Sequence, residues 1–119
     1  MTDITTSLKL QDILTEAHEA AARAVENHED KWACGFAWVT VEGNTPLARH
    51  CRKMAEKSIA TERTARRLYG SKGYPKGWQW WCPGNFPGQS VEAHEAGAHA
   101  FRDKLGEYGI RADVGSRLD

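Results

Sequence analysis

The sequence predicts an α+β fold: one domain over residues 1–119, in the order α-β-α-β-α-β, with a small mixed three-stranded sheet packed on helices. Three observations carry this expectation. Helical periodicity recurs in three separate stretches, short apolar runs of β character fall between them, and the helices are too rich in alanine to bury a core without a sheet against them. A chain of 119 residues is the size of a single domain, so the layers share one core.

Leu10, Ile13, Leu14, Ala17, Ala21, Ala24 and Val25 recur at three- and four-residue steps, which predicts an amphipathic helix from Leu8 to about His28. Its alanine side suits close approach, either to a sheet or to a second copy of the same helix. "ACGFAWVTV", Ala33 to Val41, is apolar on both alternating faces and reads as a central strand, with Trp38 in the core. Thr45 is placed to cap the next helix and Pro46 to occupy its first position, where a missing N–H costs nothing. That helix runs toward Tyr69 and stops at Gly70, with a break expected near "SIAT", a succession of mediocre helix formers. Leu47, Cys51, Met54 and Ser58 form its apolar line.

"GSKGYPKG" is loop by its glycine and proline content, and "WQWWC" is a short strand. Trp78, Trp80 and Cys82 then share one face and Gln79 and Trp81 the other, so one of Trp78 and Trp81 must point away from the core. Ser90 is positioned to cap the last helix. His94, Ala98, Phe101, Leu105 and Tyr108 make its buried stripe, and Gly109 ends it in the left-handed conformation. "IRADV" alternates as a final strand with Ile110, Ala112 and Val114 inward.

The N-terminal stretch is acidic and amphipathic where a secretion signal is basic and then apolar, and no apolar run approaches membrane-spanning length. Three cysteines, Cys34, Cys51 and Cys82, are then expected as reduced thiols in a cytoplasmic protein. His94 and His99 are five residues apart, about 140° around a helix, so their imidazoles do not share a face as a zinc pair must. No metal and no cofactor are expected. Neither a phosphate-binding glycine loop nor a marked nucleophile with its base is present, and the chain is expected not to be an enzyme.

The net charge of zero hides a local excess. From Arg49 to Val91 nine cations stand against two acids, leaving +7, and between Arg63 and Val91 there is no acid at all. That acid-free segment holds Tyr69, Tyr74, Trp78, Trp80, Trp81 and Phe86. An outward indole beside cations is a platform on which a base can stack while its phosphates meet positive charge. The candidate ligand-binding set is therefore Arg67, Lys72, Lys76, Trp78 and Trp81, joined by Gln89 and, from the tail "GSRLD", Ser116 and Arg117. Arg117 and Asp119 end the chain directly after an expected buried strand, equally suited to a ligand contact or to an anchoring salt bridge.

Four stretches, "EAHEAAARA", "ACGFAWVTV", "GQSVEAHEAGAHAF" and "GIRADVGSRLD", together resemble a family of small proteins of tailed bacteriophages that carries no assigned activity. The likeness covers about half the chain; from Gly43 to Lys76 it is one of character more than of residues. It implies a phage origin and work in the host cytoplasm, and it supplies no catalytic residues. The combined expectation is a non-enzymatic binding protein acting against a host defence function by sequestering a nucleotide-like anion. The alternatives are direct binding of a host protein or of single-stranded nucleic acid, the last disfavoured by zero net charge. Because the alanine helix and the tryptophan strand offer more apolar surface than three strands cover, a homo-oligomer is expected.

Overall fold

A computed structural model of the protein describes residues 4–30, 33–73 and 76–118; Tyr74 and Asp119 lie outside them. The architecture is α+β, with helices on one face of an antiparallel sheet of four strands rather than three. Its elements are α1 (Ile4–Val25), β1 (Gly35–Val41), α2 (Pro46–Lys57), α3 (Glu62–Tyr69), β2 (Ser71–Lys72), β3 (Trp78–Trp81), α4 (Val91–Glu107) and β4 (Asp113–Leu118). The strand order is β2-β3-β1-β4, and every neighbouring pair is antiparallel, so the sheet is not mixed.

The extra strand is β2, two residues within the glycine-rich loop, paired as Ser71 with Gln79 and Lys72 with Trp78. Two residues show no alternation, which is why the loop's composition hid them. Gly73 N–H donates to the Gly77 carbonyl at 2.8 Å and closes this hairpin.

Leu10, Leu14, Ala17, Ala21 and Val25 form the buried stripe of α1, and α1 packs on α4. Its alanine side is thus covered within the chain, and it no longer argues for a second copy. Thr45 Oγ1 accepts from Ala48 N–H at 3.3 Å and Pro46 opens α2, as the sequence indicates. The break arrives as expected: α2 ends at Lys57, Ile59 stands in solvent, and Thr61 caps α3 before Gly70 ends it with φ near 80°.

β1 is the central strand, yet only one of its faces is deeply buried. Gly35, Ala37, Val39 and Val41 lie under the helices, whereas Phe36, Trp38 and Thr40 are half-buried on the other side. Trp38 is therefore not in the core between sheet and helices. The cause is steric: α4 lies so close to β1 that a β-carbon on Gly35 would come within 3.0 Å of Val91, which suits the small side of β1 and leaves its aromatic side outward.

The start of α4 is satisfied differently from expectation. Ser90 occupies the capping position but makes no side-chain cap bond; instead Asp30, from the segment after α1, accepts N–H bonds from Gln89 (2.8 Å) and Ser90 (3.0 Å) through one carboxylate oxygen. These two N–H groups stand just before the helix, where a carboxylate still meets the positive end of its dipole, and Val91 N–H, the first of α4, donates to the Ala33 carbonyl at 3.0 Å. At the other end Tyr108 is exposed rather than buried, its hydroxyl donating to Glu16. The last strand lies later than "IRADV" predicts. Ile110, Ala112 and Val114 do pack against the core, but pairing with β1 runs from Asp113 to Leu118, so the polar tail is strand.

Candidate functional site

Register sorts the side chains of the uncovered face, because directly opposed residues of neighbouring strands point to the same side. Trp38 opposes Trp81 on β3 and Gly115 on β4; Thr40 opposes Gln79 and Asp113; Phe36 opposes Arg117. The face thus carries an aromatic band in its middle, with Arg117 at one end and Asp113 at the other.

The band is packed within itself. The rings of Trp38 and Trp81 are 4.9 Å apart and tilted by 34°, and Phe36 meets Trp81 edge-on at 6.2 Å. Trp81 Nε1 donates to Gln79 Oε1 at 3.0 Å, two residues back on the same strand, which fixes the orientation of the indole. The Arg117 guanidinium lies 5.8 Å from the Phe36 ring. A β-carbon on Gly115 would come within 2.5 Å of Trp38 Nε1, so the indole of Trp38 lies across the bare backbone of β4. Trp81 remains 46% exposed, a large flat surface held at fixed orientation and open to solvent.

Of the sequence-predicted residues, Trp81 and Arg117 come together here, linked through Phe36. Trp78 does not join them. It is 7% exposed on the helix side, its Nε1 donating to the Tyr69 carbonyl at 2.6 Å with Arg52 over its ring, so the outward indole is that of Trp81. Lys72 projects from the edge of β2 opposite Trp78, and Lys76 sits at the far end of β3, where it borders a broad groove with Glu42 and Asp113. Gln89 is in the loop before α4, its carbonyl accepting from Gly35 N–H at 2.9 Å; Ser116 opposes Ala37 and so belongs to the helix side. Phe36, Trp38 and Gln79 are the residues sequence reasoning left out. Their period-2 alternation is visible in the sequence, but the apolar character of both sets on β1 concealed which one faces outward.

Arg67 lines a cleft of about 310 Å³ between α1, the end of α3 and the β3–α4 loop, together with His18, Cys82, Pro83 and Trp81, so Arg67 and Trp81 also share a site, bordering the open face at Trp81. Burial, helped by the charge of Arg67, holds His18 below its ordinary 6.5, against the opposing pull of the bond its Nε2 donates to the Leu68 carbonyl at 2.8 Å. The unfolded ring therefore takes a proton at a pH where the folded ring stays neutral. The stability this contributes is full above 6.5 and is lost as the pH falls from there toward the folded value. We expect a lower denaturant midpoint at about pH 5.5 than at about pH 7.5, and a shallower fall for His18→Gln. An equal slope in both proteins rejects the assignment to His18. His50, lowered by burial and by Lys53, adds a slope of the same sign that the variant retains.

Burial pushes the Cys51 thiol up to about 12 and raises that of Cys82, so neither is a thiolate near neutral pH. Among the described residues no three His, Cys, Asp or Glu side chains converge in a way that could hold a metal ion, and no helix is long and apolar enough to cross a membrane. In comparisons with known proteins, no family model, no curated protein and no solved structure matches the chain.

Proposed function

We propose that the protein is a non-enzymatic binding protein that holds a flat, nucleotide-like anion on the open face of its sheet. The observation that carries this reading is the half-exposed indole of Trp81, braced by Trp38 and by Gln79, with Arg117 beyond Phe36. Aromatic faces fixed on a sheet stack bases whatever their sequence, and a guanidinium offers several N–H donors to phosphate oxygens. The face is polar in a useful sense: Asp113 repels an anion from one end and Arg117 attracts it at the other, which orients the ligand. The likeness to small phage proteins favours a target in a host defence system, with the captured ligand a signal withheld from the host.

The test is titration of the protein with adenosine and guanosine mono- and diphosphates, followed by tryptophan fluorescence, together with mass spectrometry of small molecules released on denaturation. Trp81→Ala is expected to weaken binding by about 5- to 150-fold, the usual worth of one stacked base, while its melting temperature stays close to wild type. Trp81→Phe retains most of the affinity, and Lys76→Ala, at the far end of β3, retains all of it. Unquenched fluorescence across the series and no released ligand reject the reading. Capture of a single host polypeptide that is lost in Trp81→Ala supports the second reading, in which the same face docks on a protein; exposed Trp and Arg dominate such interfaces too.

A further inference from the structure

We infer that two copies of the chain join edge to edge through β4, making one continuous eight-stranded sheet with both aromatic bands on the same face. β4 is the one long free edge among the described residues, since β2, at the other edge, is two residues long and closed by its own hairpin. A free edge of six residues presents a row of unpaired backbone N–H and C=O groups, a template for another strand. Natural edges are guarded by charged side chains, lysine above all, by proline or by a bulge; β4, "DVGSRL", has no lysine, no proline and an unbroken register with β1, and its two charges are of opposite sign.

What commits the edge to a second copy is its self-complementarity. Antiparallel pairing of β4 with itself, centred on Gly115, sets Gly115 opposite its equivalent, Val114 opposite Ser116, and Asp113 opposite Arg117. The two charged pairs are related by the two-fold axis and lie on the open face, where Asp113 and Arg117 already point. Within one chain neither has an oppositely charged partner among the described salt bridges. Opposite charges directly across a strand pair stabilise the register, and like charges there disfavour it. The Arg117 fork, with five N–H donors, can meet a partner carboxylate on one side and still present others to solvent.

Gly115 serves the same arrangement. The indole of Trp38 already lies across it, toward the free edge. With strands about 4.8 Å apart, the two Trp38 backbones would stand about 14 Å from each other across the seam, their rings leaning inward over the paired glycines. A side chain at Gly115 would wedge both rings away from the axis. The seam is thus flat where the two aromatic bands meet.

The experiment is equilibrium sedimentation at tens of micromolar. The natural chain is expected at twice its 13.3 kDa. Asp113→Arg and Arg117→Asp, each placing like charges opposite one another twice, are expected to raise the dissociation constant by about tenfold or more. Mixing the two variants supplies opposite charges at both places and is expected to give a heterodimer as tight as the natural homodimer, which a fold defect in either variant could not produce. A monomeric natural chain, single variants as dimeric as the natural one, or a mixture that stays monomeric would each overturn the inference. Ligand capture is a separate matter: a dimer that leaves nucleotides unbound contradicts only the proposed function, and a monomer that binds them contradicts only the dimer.

Discussion

Trp80→Ala is expected to cost roughly 3–5 kcal/mol, the range for removing a large aromatic side chain from a packed core. Trp80 is 1% exposed, the largest of the fully buried side chains, and its ring lies 5.1 Å from that of Phe101 on α4. It joins the two layers: β3 contributes the indole and α4 the ring it packs on. A domain of ordinary stability holds about 5–15 kcal/mol, so a loss of this size removes about a fifth of it or more. Chemical unfolding monitored by circular dichroism gives the value directly. Trp80→Phe separates shape from polarity. The indole N–H of Trp80 is buried with no partner, and phenylalanine removes that orphaned donor while keeping much of the volume, so its cost should be well below that of alanine. Trp38→Ala, on the half-buried outer face, is expected to cost less than Trp80→Ala. A larger loss at Trp38 than at Trp80 would contradict the assignment of faces.

Gly97→Ala is expected to destabilise the protein even though alanine is the better helix former. Propensity alone favours alanine by about 1 kcal/mol in a helix interior. At position 97, however, the new methyl would collide with the Pro83 carbonyl oxygen and approach Val25 Cγ1 within 3.1 Å. Gly97 is where α4 passes over the β3–α4 loop, and the obstacle is backbone, which cannot turn aside as a side chain can. Overpacking of this kind costs typically 1–3 kcal/mol and occasionally more, so the steric loss wins. Gly106→Ala provides the contrast. It lies in the last turns of the same helix with open space around its β-carbon position, and it is expected to gain about 0.5–1 kcal/mol. Thermal melts of the two variants should shift in opposite directions. A stabilised Gly97→Ala would mean that α4 does not pass so close to Pro83.

Much of the fold is readable from local chemistry because local chemistry decides it. Thr45 and Pro46 fix the start of α2, Gly70 fixes the end of α3, and the alternation in "WQWW" separates Trp78 and Trp80 from Gln79 and Trp81. Three features depend on partners distant in sequence, and those were not legible. The outward side of β1 is set by the close approach of α4, whose Val91 stands against Gly35, and no window around Trp38 contains that information. The approach to α4 is held by Asp30, which accepts from the Gln89 and Ser90 N–H groups, and not by the Ser90 side chain, a choice made by how the segment after α1 lies against the loop before α4. The strand character of "DVGSRL" comes from the pairing edge offered by β1, since its own residues are polar and include a glycine. The candidate site shares this limit. Trp81 and Arg117 could be named from residue type, but their meeting through Phe36 is a matter of register.

The order in which β1 acquires its neighbours bears on how the chain folds. β1 pairs with β3 and with β4, and in the second pairing Gly35 meets Leu118, so the ladder joins segments 83 positions apart in the chain. Bringing such distant segments together costs loop-closure entropy before any contact rewards it, and topologies dominated by such pairings fold slowly. Until β4 docks, β1 is itself an edge, with Phe36 and Trp38 on one side and an open ladder along its length. The interval between closure of the β1–β3 pair and arrival of β4 is therefore when intermolecular strand pairing is most competitive. Refolding yield should fall with protein concentration even where the finished fold is stable, because the hazard lies in the waiting time of the central strand and not in the strength of the native sheet.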